Sequence, residues 1–198
     1  AQLPTVITVR GPFERLDEGI RARMEMEGFS TTHSLGQRDA PLLREVGGLE
    51  EDMLSHMTFE NFKVDRSLRA SSHEKTSLKW AFDTAKAFTQ SPKGWLLLTG
   101  LTGCGKTHLA VAIINERLKQ GQASFFAFVP ALLDHLRATF RPDSLTGYDE
   151  LFEEVKRSPF LVLDDLGSEN STPWAEEKLY QIIVHRHNAR LPTVITTM

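Results

Sequence analysis

Four stretches of the chain are nearly unbroken apolar runs: Trp95–Thr99, Ser124–Val129, Phe160–Leu163 and Thr193–Thr197. Runs this short and continuous predict strands covered on both faces, the pattern of a buried parallel sheet. Between and before them the apolar period lengthens to that of an amphipathic helix, over Glu74–Thr89, Thr107–Lys119, Pro130–Thr139, Tyr148–Lys156 and Pro173–Asn188. In the second of these, Leu109, Ala110, Ile113, Ile114 and Leu118 share one face and Gly121 supplies a stop. The last opens well, with Thr172 as a capping residue and Pro173 at the first helical position. Alternating β and α elements predict a doubly wound parallel α/β sheet with helices on both faces. A ligand is expected at the carboxyl ends of its strands.

The first apolar run leads directly into Gly100-Leu101-Thr102-Gly103-Cys104-Gly105-Lys106-Thr107. This is the phosphate-cradling loop G-x-x-x-x-G-K-[ST], with a strand before it and a helix after it. Glycines let the backbone wrap a phosphate with its N–H groups turned inward. The helix that follows adds free N–H groups and the positive end of its dipole. Gly100, Thr102, Gly103, Cys104, Gly105, Lys106, Thr107 and His108 are therefore the candidate nucleotide-binding set. Lys106 is expected to reach the β- and γ-phosphates, and Thr107 to place its hydroxyl on Mg²⁺. The fold class is thus a P-loop NTPase, and the expected cofactors are ATP and Mg²⁺.

The third run ends in two acids, Phe160-Leu161-Val162-Leu163-Asp164-Asp165-Leu166-Gly167. A buried strand ending this way, downstream of a phosphate loop, has the Walker B form. Asp164 is expected to hold Mg²⁺ through water and Asp165 to orient or deprotonate the attacking water. Small-molecule kinases also use a phosphate loop, but the acid pair suits water activation and no arginine-rich lid follows it. A nucleotide-dependent scaffold with little turnover is a further reading.

Composition narrows the partners. The chain has 198 residues and a net charge of −3, so it suits one α/β domain and carries no global basic field; any nucleic-acid contact must be local. A single cysteine excludes a disulfide framework and a cysteine-built zinc site and suits a reducing cytoplasm. No stretch approaches membrane-spanning length and no signal peptide is evident, so a cytoplasmic protein without membrane contact is expected. His108 and His185 have no metal-ligand partner at useful spacing. Arg186 reads equally as a structural ion pair or a subunit contact.

Leu191-Pro192-Thr193-Val194-Ile195-Thr196 also occurs as Leu3-Pro4-Thr5-Val6-Ile7-Thr8. The first copy runs on into the helical stretch Leu16–Met24, with Arg21 and Arg23, while the second stops at Met198.

Thr58-Phe59-Glu60-Asn61-Phe62, the Gly100–Thr107 loop, Leu163-Asp164-Asp165-Leu166-Gly167-Ser168-Glu169 and Trp174–Arg186 leading into Leu191–Thr197 occur in one order. On these residues the span Met57–Met198, about seven-tenths of the chain, resembles the AAA+ ATPase domain of the DnaC/DnaI helicase loaders and the similar IstB transposition helpers. Leu3–Leu35 resembles the end of such a domain: sensor-1 strand, arginine-finger helix and last strand. The organisation expected is a domain-end segment over 1–40, a linker over 41–56 and an ATP-binding core over 57–198.

The resemblance implies an AAA+ sheet of strand order 5-1-4-3-2, ATP hydrolysis that is slow until subunits assemble, and a homo-oligomer. Arg23 matches the arginine that reaches a neighbouring subunit's γ-phosphate. Thr196 or Thr197 lies near the sensor-1 polar position, with Thr197 the chosen catalytic candidate, and Met198 stands where the family usually has Asn. The helix over Pro130–Phe140 and its loop match the region that touches single-stranded DNA, which makes Arg137, Phe140 and Arg141 DNA-contact candidates. Phe59 and Phe62 are expected in the wall of the adenine pocket. The implied function is loading of a replicative helicase; the alternative is IstB-like assistance of DNA transposition, with a transposase as partner. No counterpart of the loaders' helicase-binding domain is expected in the residues before Met57. Three arrangements stay open for Leu3–Leu35: part of a tandem protein, a truncation, or a segment completing a neighbour's nucleotide site.

Overall fold

A computed structural model describes residues 42–64, 72–139, 145–169 and 172–198. They belong to the second of the two units into which the chain divides, Pro41–Met198. In chain order they form β1 (Leu43–Val46), α1 (Glu51–His56), α2 (Ser72–Gln90), β2 (Trp95–Thr99), α3 (Lys106–Lys119), β3 (Ser124–Phe128), α4 (Val129–Thr139), α5 (Leu145–Arg157), β4 (Leu161–Leu166), α6 (Pro173–Asn188) and β5 (Thr193–Thr197). Every strand pairing is parallel, and the sheet order is β1-β3-β4-β5-β2.

The apolar runs divide by parity between the two faces. Leu96, Leu98, Phe126, Val162 and Val194 join a core with the buried residues of α3 and with Ala85 of α2. Phe125, Ala127, Leu161, Leu163 and Ile195 join a second core with Leu132 and Leu136 of α4, Val155 of α5 and Ile182 of α6. A strand with helices on both sides has no polar face, which is why these sequences show runs and not alternation.

Read from β2 outward, the sheet contains the family run 1-4-3-2 as β2-β5-β4-β3. The fifth family strand is not among the described residues. An additional strand, β1, extends the opposite edge beside β3. Residues 41–56, read from sequence as a linker, thus carry β1 and α1. The four residues Leu-Arg-Glu-Val give no apolar run; their place comes from the ladder to β3 and from Arg44, whose Nε and Nη2 donate to the Glu154 carboxylate at 2.7 and 2.8 Å. β4 also runs further than its apolar residues, through both acids to Leu166.

Arg186 corrects an expectation. It is fully buried, and no carboxylate pairs with it among the described residues. Its guanidinium donates to the carbonyls of Val155, Lys156, Ser158 and Pro192 and to Thr193 Oγ1, at 2.8–3.2 Å. It therefore ties the end of α5 to the starts of β4 and β5. Burial lowers its pKa to about 10, which leaves it charged at neutral pH.

Candidate nucleotide site

β2 delivers the chain to the turn at 100–105, and α3 takes it away from the same end of the sheet. Gly105, at φ 104°, precedes the helix and provides no side-chain cap. The first N–H groups of α3 thus form the uncapped positive end of a 14-residue helix. Lys106 folds back over the turn: its Nζ donates to the carbonyls of Gly100 at 2.6 Å and Leu101 at 3.0 Å. Thr107 points to the sheet, where its hydroxyl donates to Asp164 Oδ1 at 3.0 Å and approaches Oδ2 at 3.2 Å.

Asp164 is the hub of this end of the sheet. It is buried and also accepts from Thr196 Oγ1 at 2.8 Å. The next residue, Asp165, is half-buried with φ 60°, and its N–H donates to the same Thr196 hydroxyl at 2.8 Å. The segment then closes on itself: Ser168 Oγ donates to the Asp165 carbonyl at 2.8 Å and Gly167 N–H to Glu169 Oε2 at 2.7 Å.

Burial is the largest influence on the Asp164 carboxyl and raises its pKa; the neighbouring Asp165 charge raises it further. The hydrogen bonds from Thr196 and Thr107, and the Lys106 charge, pull the other way without cancelling the rise. A buried carboxylate held above its ordinary range by desolvation is a group with a standing affinity for a cation. Thr107 and Asp164 offer it two hard oxygen ligands. No group of three or more His, Cys, Asp or Glu residues that could hold a metal occurs among the described residues. Two protein oxygens fit Mg²⁺, which keeps most of its octahedral shell for water and phosphate oxygens.

A groove of about 690 Å³ adjoins the loop. Its walls include Val64, Leu78, Trp80 and Ala81 on one side and Leu97 with Gly100–Leu101 on the other. Phe59 and Phe62 are not among its lining residues. Both are buried in the core; each packs on Phe82, with ring centroids 5.5 and 5.6 Å apart. Phe62 also meets the His108 ring edge-on at 5.1 Å, and His108 Nε2 lies 2.8 Å from the Thr58 carbonyl. The His108 side chain thus braces the segment before α2, while its backbone lies in the first turn of α3.

The structure brings Gly100–Thr107, Asp164 and Asp165 together at one end of the sheet, with Thr196 beside the two acids. Thr197, the residue chosen near sensor 1, donates its hydroxyl to the Leu166 carbonyl at 2.6 Å, so Thr196 is the threonine on the acids. Met198 Sδ receives a weak contact from Thr102 Oγ1 at 3.9 Å. Cys104 is a free, exposed thiol. Arg137 lies over the Trp174 ring at 5.2 Å and 3.7 Å from Asp134. Arg23, Phe140 and Arg141 lie outside the described residues, as does Leu3–Leu35. No helix among the described residues is long and apolar enough to cross a membrane.

Comparison with known proteins agrees with this geometry. The family described as "IstB-like ATP binding protein" matches residues 54–198. The chain is 28% identical over 151 residues to the replicative helicase loader DnaI of Bacillus subtilis, which covers 75% of this chain and 46% of that protein. It is 26% identical over 143 residues to the replicative helicase loader DnaC of Escherichia coli, 71% of this chain and 54% of that protein. The chain therefore spans about half the length of these curated relatives. A crystal structure of DnaI superposes with a TM-score of 0.63 at 25% identity, covering 79% of this chain and 78% of that one. The parallel sheet with helices on both faces is the AAA+ fold. With the phosphate loop, the acid pair and the matched span in agreement, the chain belongs to the IstB-like ATP-binding protein family.

Proposed function

We propose that this chain binds ATP with Mg²⁺ and hydrolyses it, as the ATPase core of a cytoplasmic replicative helicase loader. The observation that carries the proposal is the 3.0 Å contact between Thr107 and Asp164, which joins the phosphate loop to the acid-bearing strand. The Gly100–Gly105 turn and the first N–H groups of α3 hold the phosphates, and Lys106 leaves its loop carbonyls for their oxygens. Thr107 and Asp164 hold Mg²⁺, which when bound neutralises charge on the phosphate oxygens during transfer. Asp165 orients the water for in-line attack on the γ-phosphorus and accepts its proton, while the bond from that phosphorus to the β–γ bridging oxygen breaks and ADP departs. The apolar groove beside the loop receives the nucleoside.

Helicase loading is supported by the likeness to DnaI and DnaC, both named replicative helicase loaders. Arg23 is proposed to complete the site of a neighbouring subunit in a homo-oligomer, and Arg137, Phe140 and Arg141 to contact single-stranded DNA. Residues 1–40 are proposed as the segment that supplies Arg23. A second reading, assistance of transposition with a transposase as partner, is favoured by the IstB-like family match itself.

Turnover measured against protein and single-stranded DNA concentration tests the assembly model. The rate per subunit should rise with both; a rate independent of both would count against a site completed in trans. Capture of a replicative helicase, against capture of duplex DNA and a transposase, separates the two readings.

A further inference from the structure

The two acids of β4 face one residue of β5. Leu163 pairs with Ile195 and Leu166 with Thr197, so Asp164 and Asp165 together stand opposite Thr196. This is a bulge: two residues against one, with a local bend that re-aims side chains. Its second residue, Asp165, is held at φ 60°, a left-handed conformation that costs energy in any residue but glycine. Something must hold it there, because the ladder between β4 and β5 is interrupted at this step.

Thr196 supplies the hold. The residue is 1% exposed, and its hydroxyl takes the Asp165 N–H at 2.8 Å and gives its own proton to Asp164 Oδ1 at 2.8 Å. Both capacities of the hydroxyl are in use. Thr107 takes the same carboxylate from the phosphate loop. One buried oxygen thereby sets the backbone of one acid and the carboxylate of the other.

We propose that Thr196 is a positioning residue for hydrolysis. It fixes the metal-binding carboxylate of Asp164 and the left-handed backbone of Asp165 in one arrangement, without itself touching the nucleotide. The inference rests on the ATPase reading above. It predicts that losing the hydroxyl uncouples nucleotide binding from metal use and turnover.

The test uses the full chain with a fluorescent ATP analogue, titrated with Mg²⁺ and with EDTA, and steady-state ATP turnover. Thr196→Val should bind the analogue in EDTA within about twofold of wild type. Its Mg²⁺-dependent gain in affinity should fall by about fivefold or more, and kcat should fall by about tenfold or more at little-changed KM. Thr196→Ser, which keeps the hydroxyl, should restore both. If Thr196→Val does not fold, Thr196→Cys, of similar size with a weak donor, should show the same split. An indifferent Thr196→Val or Thr196→Cys, or a Thr196→Ser variant as impaired as they are, overturns the inference. If the wild-type chain neither tightens on nucleotide with Mg²⁺ nor hydrolyses it, the ATPase reading fails and this inference with it. Intact wild-type behaviour with an indifferent variant removes this inference alone.

Discussion

Phe62 lies so close to Gly105 that a Cβ on the glycine would stand 2.7 Å from the ring's Cε2. At φ 104°, position 105 also has a backbone that other residues rarely adopt. Gly105→Ala should therefore lower stability by about 1–3 kcal/mol and weaken nucleotide binding by displacing the loop. Adding Phe62→Leu relieves the clash but not the dihedral strain. The double variant should recover part of the melting temperature and little of the binding of a fluorescent ATP analogue.

Lys106→Ala removes the cation from the loop. The carbonyls of Gly100 and Leu101 lose a donor that water can replace, so stability should change by less than about 1 kcal/mol. Nucleotide affinity should fall at least about tenfold, roughly 1.4 kcal/mol, and turnover should vanish. Unchanged turnover would remove the loop from the mechanism.

Asp164 carries a pH signature. Burial raises its carboxyl above the unfolded value, so the folded chain binds this proton more tightly than the unfolded chain does. Ionisation of Asp164 therefore costs stability. The cost is complete above the folded pKa and disappears as the pH falls to the unfolded carboxylate range. Asp164→Asn should raise the melting temperature of the nucleotide-free protein at neutral pH, and the gain should shrink on acidification. The same substitution should abolish the Mg²⁺-dependent part of nucleotide binding. A gain that grows as the pH falls would contradict the assignment.

Two arginines make opposite predictions. Arg186→Met leaves four buried carbonyls and the Thr193 hydroxyl without their donor. It should cost about 3–5 kcal/mol in urea unfolding. Arg44 pairs with Glu154 at the surface, with side chains 53% and 35% exposed. Arg44→Ala should cost less than about 1 kcal/mol.

The five helices from α2 to α6 and the four buried strands were legible because each depends on a local pattern. β2, β5 and α6 begin and end at the residues where the apolar periods do. The loop and the acids were legible because phosphate and Mg²⁺ constrain residue type at fixed spacing. β1 was not, since Leu43–Val46 becomes a strand only through its ladder to β3 and the Arg44 tether to α5. Arg186 was misread because helical periodicity says how buried a position is, not that carbonyls from three segments converge on it. The choice between Thr196 and Thr197 depends on a bulge, and a two-against-one register leaves no mark in a run such as Thr193–Thr197. The packing of Phe59 and Phe62 on Phe82 joins segments some twenty residues apart, which composition does not reveal.

The two strands that carry the site are fastened differently at their two ends. At their amino ends, Arg186 grips the carbonyls of Ser158 and Pro192 with one planar fork of donors. At their carboxyl ends, the contacts of Thr107, Thr196 and Thr197 are hydroxyls, each able to trade partners by turning about one bond. β4 and β5 are thus pinned at their amino ends through one buried guanidinium, while their carboxyl ends, where the acids lie, are held by single hydroxyls.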